Sequence, residues 1–318
     1  MTNMMKIVLA YSGSVATSAA IPWLMERYDA QVVTVTLDVG QGLELAHVRE
    51  RALAAGAVRA HVIDARDEFV RRHVLPSLRS GAFARPSAFS TSAQTRPLVA
   101  KRLVELARME ATAFVAHGCA CDDPDRLLLE DAIRDIDAAM EVLAPACEWK
   151  MSPAEVVEYA RSRRIAVAST GSDDVDANLL GRTFYGASAS HPYKLTRSIA
   201  DAPAGAAFID LEFAGGTPIR TNGVDMPVIE IIESIETIAG AHGVGRVPID
   251  GEIMAESPAA VVLHRAYAHL GRMNSEQAGI VRLKLWKGTC EVVGDTDAAV
   301  SPFREDKNAA PRGEKATI

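Results

Sequence analysis

Through its first half the chain alternates short apolar strands with amphipathic helices, and few folds accept that order. Lys6-Ile-Val-Leu-Ala-Tyr11 reads as a strand closed by Ser12-Gly13-Ser14, which is turn chemistry. Apolar residues at helical spacing follow over 17–27 (Ala20, Ile21, Leu24, Met25). A second strand is expected over 31–36, a loop at Asp38-Val-Gly-Gln-Gly42, and a helix over 43–55 closed by Gly56. The pattern continues as strand 60–64, helix 67–78, helix 97–109, strand 112–116, helix 125–139 and strand 141–144. Ser152-Pro-Ala-Glu155 is a capping box with proline at the first helical position, opening a helix to Arg161. Repeated βαβ units of this length predict a parallel sheet covered by helices on both faces.

The second half changes character. Phe208-Ile-Asp-Leu-Glu-Phe213 alternates like a half-buried antiparallel strand, and Gly215-Gly216 and Asn222-Gly223 suit hairpin turns. Helices are expected over 227–241 and 258–270, and a hairpin from Val281 to Trp286, through Lys287-Gly288, to Thr289-Cys-Glu-Val-Val293. The expectation is α/β: a doubly wound parallel sheet over 1–165, an α+β domain over 166–294, and a mobile tail without periodicity over 295–318. A length of 318 residues suits two domains at ~150 residues each. The net charge of −7 argues against a nucleic-acid partner, which a basic face would advertise. Lys and Arg stand singly or in short groups and read as solvated helix faces. No apolar run approaches the ~18–20 residues of a membrane span, and Met1 to Lys6 lacks the pattern of a signal peptide. The four cysteines, 119, 121, 147 and 290, lack the spacing of a disulfide scaffold, so the expectation is a reducing cytoplasm.

Ala10-Tyr-Ser-Gly-Ser-Val-Ala-Thr-Ser18 lies between a parallel strand and a helix N-terminus. Unpaired backbone N–H groups and the helix dipole favour an anion there, and the hydroxyls of Ser12, Thr17 and Ser18 add donors. The same turn also reads as a β–α connection that binds nothing, since it has no Walker lysine and no G-x-G-x-x-G. The stretch resembles the pyrophosphate loop of the N-type ATP pyrophosphatases, S-G-G-x-D-x-S. More closely, the chain resembles the argininosuccinate synthases. The matching pieces are Ala10-Tyr-Ser-Gly13, Leu37-Asp-Val-Gly-Gln-Gly42, Asp64-Ala-Arg-Asp-Glu-Phe69, Arg96-Pro-Leu-Val-Ala-Lys101, Ala116-His-Gly-Cys119, Asp176-Ala-Asn-Leu-Leu-Gly-Arg182, Ala239-Gly-Ala-His-Gly-Val-Gly-Arg246 and Val281-Arg-Leu-Lys-Leu-Trp-Lys-Gly288. They stand in family order across nearly the whole chain.

The resemblance implies an adenine nucleotide α-hydrolase-like domain followed by a synthetase-type domain. It also implies a cytoplasmic ligase of arginine biosynthesis that uses ATP with Mg²⁺ and small-molecule substrates. Family members activate the ureido oxygen of citrulline with ATP, releasing pyrophosphate, and the amine of aspartate then displaces AMP. An in-line attack at the α-phosphorus needs a loop that holds the leaving pyrophosphate and a metal that shares its charge. By resemblance, Ala10, Tyr11, Ser12, Gly13, Ser14, Thr17 and Ser18 hold the phosphates, and Thr36 and Gly118 line the adenosine pocket. Ser92, Asp125 and Thr183 are what remains of the substrate sites.

Departures from the family pattern fall at all three sites. In the loop the second glycine is Ser14 and the aspartate is Ala16. A serine forced to φ > 0 would cost on the order of 1 kcal/mol or more. The aspartate-binding segment H-G-C-T-G-K-G-N-D-Q-x-R-F-E is here His117 to Glu130, with Ala120, Asp122, Pro124 and Leu128 replacing threonine, lysine, asparagine and arginine. Donors have left and carboxylates have arrived, so this surface is expected to repel a dicarboxylate. On the citrulline side the tyrosine falls on Ala88, the threonine on Ser92 and the serine on Ala93. Of two further serines, one becomes Asp174 and the other Thr183, and another tyrosine becomes Ala255. The family's V-E-N-R-x-V-G-x-K-S-R contracts to Val247-Pro-Ile-Asp-Gly-Glu252. The resemblance finds no counterpart for a long helical stretch between Arg272 and Glu276 or for the C-terminal arm that holds the family's tetramer together, so the expectation of a homo-oligomer does not extend to that tetramer.

Other groupings read blandly. Cys119, Cys121, His117, Asp122 and Asp123 lack a second ligand pair of zinc-site spacing, and no metal site is expected. His242-Gly-Val-Gly-Arg246 reads as a helix C-cap and turn, and Arg96 and Arg182 as structural ion-pair partners. Two functions remain. One is an ATP-dependent, AMP-forming C–N ligase acting on a pair other than citrulline and aspartate, or acting weakly. The alternative is a catalytically degenerate paralogue serving as a binding or regulatory scaffold.

Overall fold

The computed structural model describes residues 4–42, 45–123, 125–166, 175–185, 193–273 and 278–293. Leu43, Pro124, Asp174 and the tail expected from residue 295 lie outside them.

The alternation becomes β1 (Lys6–Ala10), α1 (Val15–Tyr28), β2 (Gln31–Asp38), α2 (Leu45–Ala54) and β3 (Arg59–Asp64). Next, α3 (Arg66–Phe69) passes through a π-helical turn at Val70–Val74 into α4 (Leu75–Arg79). Then come α5 (Thr91–Met109), β4 (Phe114–Ala116), α6 (Asp125–Ile136), β5 (Glu141–Leu143), α7 (Pro145–Glu148) and α8 (Pro153–Ser162). The five strands form one parallel sheet in the order β3-β2-β1-β4-β5. Alternate residues of β1 face opposite sides, as the period-2 geometry of a strand requires. Ile7 and Leu9 belong to a cluster with Ala20, Ile21 and Leu24 of α1. Val8 belongs to another with Leu103, Val104 and Ala107 of α5. Each valine, leucine or isoleucine among them contributes about 1.5–3 kcal/mol by leaving water.

The second half begins with the hairpin β6 (Val175–Asn178) and β7 (Gly181–Tyr185). It continues as β8 (Ala207–Ala214), β9 (Thr217–Thr221), β10 (Val224–Asp225), α9 (Val228–Ala241), β11 (Arg246–Asp250) and β12 (Ile253–Glu256). The described elements end with α10 (Pro258–Met273), β13 (Gly279–Trp286) and β14 (Thr289–Val292). Two antiparallel sheets result, β10-β9-β8-β13-β14 and β11-β12-β7-β6. The apolar cluster behind Val8 runs on into Ile209, Leu211, Ile231, Leu263 and Leu283, so both halves share one core. No helix among the described residues is long and apolar enough to cross a membrane.

Three expectations change. Helix α5 begins at Thr91 rather than at Pro97, because the Ser90 hydroxyl caps it by accepting from the Ala93 N–H at 3.3 Å. Proline opened the expected helix, but the serine cap lies earlier and prevails. The sheet β11-β12-β7-β6 was not expected, because its strands are four or five residues long and carry Asp, Asn and Arg in place of an apolar alternation. The contracted segment 247–252 is in fact most of the hairpin joining β11 to β12. Finally, Cys121 and Cys147 are paired as a disulfide, which their sequence spacing had not suggested.

Candidate functional site

The strand order reverses between β1 and β4, and in open α/β sheets ligands bind in the crevice outside the carboxyl ends at such a point. The loop leaving β1 is shaped by Gly13, whose φ of +82° lies in the left-handed region that favours glycine. Ser14 is different. Its backbone is extended (φ −67°, ψ 165°), and its hydroxyl accepts from the Thr17 N–H at 3.2 Å, capping α1. The strain expected for a serine here does not arise, because the chain turns at Gly13 alone.

A hydroxyl network holds the loop. Thr17 Oγ1 lies 3.2 Å from Ser12 Oγ and 3.1 Å from Ser14 Oγ. The Tyr11 hydroxyl pairs with Ser18 Oγ at 2.8 Å, and Thr36 donates to the Tyr11 carbonyl at 2.8 Å. Thr17, Ser18 and Thr36 are buried, while Ser12 is exposed. Gly118 brings in the loop after β4: a Cβ there would sit 2.5 Å from Thr17 Cγ2. Ala10, Tyr11, Ser12, Gly13, Ser14, Thr17, Ser18, Thr36 and Gly118 therefore converge on one edge of the sheet. Arg51 of α2 joins them by donating to the Gly13 carbonyl. Sequence reasoning missed it because, in a helix rich in charged residues, it reads as part of a solvated face.

The residues assigned to substrate gather at the first turn of α5. Ser92 donates to the Asp125 carboxylate, whose same oxygen lies 3.5 Å from Ser90 Oγ. Thr183 on β7 faces elsewhere: buried, it accepts from the Thr91 N–H at 2.9 Å and lies 3.0 Å from Thr91 Oγ1. Ser92 and Asp125 thus meet, while Thr183 anchors the helix start beside them. Arg96 lies 3.6 Å from Asp123, and Asp123 accepts from the Asp125 N–H at 2.8 Å. Desolvation pushes the Asp176 carboxyl up; Arg96 pulls it down, and Asp123 and Asp125 add to the rise. Burial likewise pushes the Cys119 thiol up to about 11.

Replaced positions behave as their chemistry dictates. Leu128 is 50% exposed, offering no polar group where the family has arginine. Glu130, which matches the family, is engaged by Arg126 at 2.6 Å and Arg134 at 2.9 Å. Burial raises its pKa, but these two arginines bring the carboxyl below the usual range. His117, 1% exposed, accepts from the Cys119 N–H at 3.2 Å, and burial holds its imidazole below the ordinary value.

In the second half, Glu256 is wholly buried. It accepts from the N–H groups of Lys194 (3.0 Å), Leu195 (2.8 Å) and Thr196 (2.6 Å), with Arg182 at 3.6 Å. Arg182 is thus an internal partner, in line with the ion-pair reading. The His242 N–H closes the end of α9 on the Ala239 carbonyl at 3.1 Å, as a C-cap should. Among the described residues, no group of three or more His, Cys, Asp or Glu side chains is arranged to hold a metal ion.

A doubly wound parallel sheet with a hydroxyl-lined loop at its switch point is the class of fold defined here, and the comparisons with known proteins give its family. The family described as "Arginosuccinate synthase N-terminal HUP domain" matches residues 6–166, and its "C-terminal domain" matches residues 175–278. Argininosuccinate synthase of Dictyoglomus thermophilum is 35% identical over 286 residues, which cover 84% of this chain and 71% of that protein. The Streptococcus thermophilus enzyme is 36% identical over 83% of this chain and 70% of its own. That of Dictyoglomus turgidum is 32% identical over 88% of this chain and 78% of its own. Among solved structures, a predicted tRNA methyltransferase subunit from Methanocaldococcus jannaschii covers 49% of this chain and 76% of its own at a TM-score of 0.36 and 15% identity, too slight a likeness to carry weight. The chain belongs to the argininosuccinate synthase family, whose members use ATP with Mg²⁺ in ATP-dependent C–N ligation.

Proposed function

We propose that this chain binds ATP in the β1–β4 crevice and performs the family's AMP-forming C–N ligation on a substrate pair other than citrulline and aspartate. Residues 1–165 would form the nucleotide domain and 166–294 the substrate domain. In this reading Ser12 and the amides at the start of α1 face the leaving pyrophosphate, and Thr36 and Gly118 border the adenosine. Arg51 holds the Gly13 carbonyl on the α2 side of the loop, and the Ser14 N–H of the same peptide donates to Ser12 Oγ at 3.3 Å, setting the hydroxyl that would meet the phosphate. A Mg²⁺ ion would arrive with the nucleotide phosphates, sharing their charge, because no preformed cage of carboxylates awaits it among the described residues.

The single observation that carries the reading is the rewritten cradle. Asp123, which stands where the family has glycine, joins the family-matching Asp125 and Asp176 around Arg96, and Ala120 and Asp122 beside them replace the family's threonine and lysine. A second dicarboxylate would meet like charge there, whereas a neutral or cationic amine would not. ATP–pyrophosphate exchange with panels of amines and amides tests it. Exchange or AMP release with a non-dicarboxylate amine, and none with aspartate, is the expected result. Efficient condensation of citrulline with aspartate would overturn it.

The scaffold reading is favoured by one observation: the hydroxyls of Tyr11, Thr17, Ser18 and Thr36 already bond within the protein. Calorimetry with ATP and Mg²⁺ separates the two, since a folded chain that takes up no nucleotide is a scaffold.

A further inference from the structure

Cys121 stands exposed in the loop after β4, and Cys147 lies half-buried in α7, just after β5. Because β4 and β5 are parallel neighbours, both residues lie at the carboxyl edge of the sheet. The structure joins them with Cα atoms 5.1 Å apart, inside the window of roughly 4.4–6.8 Å that a disulfide spans. The other two cysteines are free and buried, and burial pushes their thiols up to about 11 for Cys119 and about 12 for Cys290. Thiolate is the reactive form, so those two are inert near neutral pH, while Cys121 is the cysteine that stands open to a reagent in solution.

We propose that Cys121 and Cys147 form a reversible modification site whose reactant is a low-molecular-weight disulfide. The Cys121 thiolate attacks one sulfur of that disulfide, whose S–S bond breaks, and a small thiolate departs. The Cys147 thiolate then attacks the Cys121 sulfur in the mixed disulfide and expels the second small thiolate. The two protons lost by the protein thiols end on the two small thiols. Two protein thiols are oxidised and one small disulfide is reduced.

Closure acts on a segment that matters. Residues 117–123 carry Gly118 against Thr17 at one end and Asp123 beside Arg96 at the other. Linking their middle to α7 ties the nucleotide edge and the acidic cluster to the same strand end. Without the link, that middle keeps the buried Cys119 and the Asp123 N–H to Ala120 carbonyl bond at 3.2 Å but loses its tie to α7.

The experiment uses the full chain equilibrated in glutathione buffers from fully reduced to fully oxidised, then quenched, alkylated and mapped by mass spectrometry. A Cys121–Cys147 linked peptide should appear with oxidised glutathione and vanish when reduced glutathione is restored. Cys119 and Cys290 should be alkylated only after denaturation. Cleavage before Asp122 by an Asp-specific protease should slow at least about three-fold in the oxidised chain, as expected when local opening is suppressed. It should not respond to oxidation in Cys121→Ser or Cys147→Ser. Absence of the linked peptide at every ratio, linkage through Cys119, or equal cleavage of both redox forms would overturn the proposal.

Discussion

The crevice between β1 and β4 and the first turn of α5 are both sites the family resemblance points to, but they are built from different materials. The crevice is shaped by backbone: a left-handed Gly13, a capped helix start, and Gly118 close against Thr17. Its side chains are small hydroxyls that can be exchanged while the main chain keeps its course. At α5, recognition would rest on side-chain charge and donors, and there each replacement changes what can bind. Thus Ser14 and Ala16 leave the crevice with its shape, while Ala120, Asp122 and Leu128 leave the other site with a different chemistry.

The largest test strikes the charged site. Arg96→Met leaves Asp123, Asp125 and Asp176 without their shared cation, and breaking such a partly buried grouping should cost about 3 kcal/mol. Urea unfolding measures it, and Asp123→Asn added to Arg96→Met should recover part of the loss. Unchanged stability would mean that water, not Arg96, balances these carboxylates. Next comes the backbone site. Gly118→Val places a Cβ 2.5 Å from Thr17 Cγ2, so the loops must part. Overpacking of this kind costs about 2 kcal/mol, and ATP binding by calorimetry should fall more than stability does. A variant with full nucleotide affinity would show that the crevice is not the binding edge.

Smaller again is the cap. Ser14→Ala removes the acceptor for the Thr17 N–H and should cost about 1 kcal/mol, whereas Ser14→Gly should cost only a few tenths (~0.3 kcal/mol). Restoring the family's glycine should not by itself raise ATP affinity, since Ser14 already sits at an unstrained φ of −67°. A marked gain from Ser14→Gly would show that the loop takes another course when phosphate binds.

The contrast also explains what could be read from the sequence. Strands β1, β2 and β4 were legible because buried parallel strands are short apolar runs, and the loop after β1 because glycine and hydroxyls mark a turn. The sheet β11-β12-β7-β6 was not, since its two hairpins are short and polar and the β7–β12 pairing that joins them links distant segments. At the sites, Ser92 and Asp125 were identified but their contact was not, because it joins residues 33 positions apart. Thr183 kept its hydroxyl, yet that hydroxyl serves Thr91, and Arg51 gave no sign at all. Sequence shows which groups are present, and only folding decides whether they face a ligand or each other.

A third group of carboxylates sharpens the comparison from outside both sites. Glu236 of α9 is half-buried near Glu233 and Glu256, and desolvation followed by these two neighbours pushes its carboxyl up to about 7. Arg96 spares Asp176 part of that rise, whereas the charges that act on Glu236 are both carboxylates. A carboxyl whose pKa is raised on folding stabilises the native state fully below its ordinary value, and that contribution is lost as pH climbs through the raised one. Wild type should therefore lose stability relative to Glu236→Gln between pH 5 and pH 8. Discounted for solvent screening, the effect is about 0.5 kcal/mol, a Tm difference of roughly 0.7 °C. Thermal melts of both proteins at the two pH values check the sign: a Tm gap that does not widen at pH 8 would mean that Glu236 is ionised at little cost, and that carboxylates here tolerate one another without an arginine.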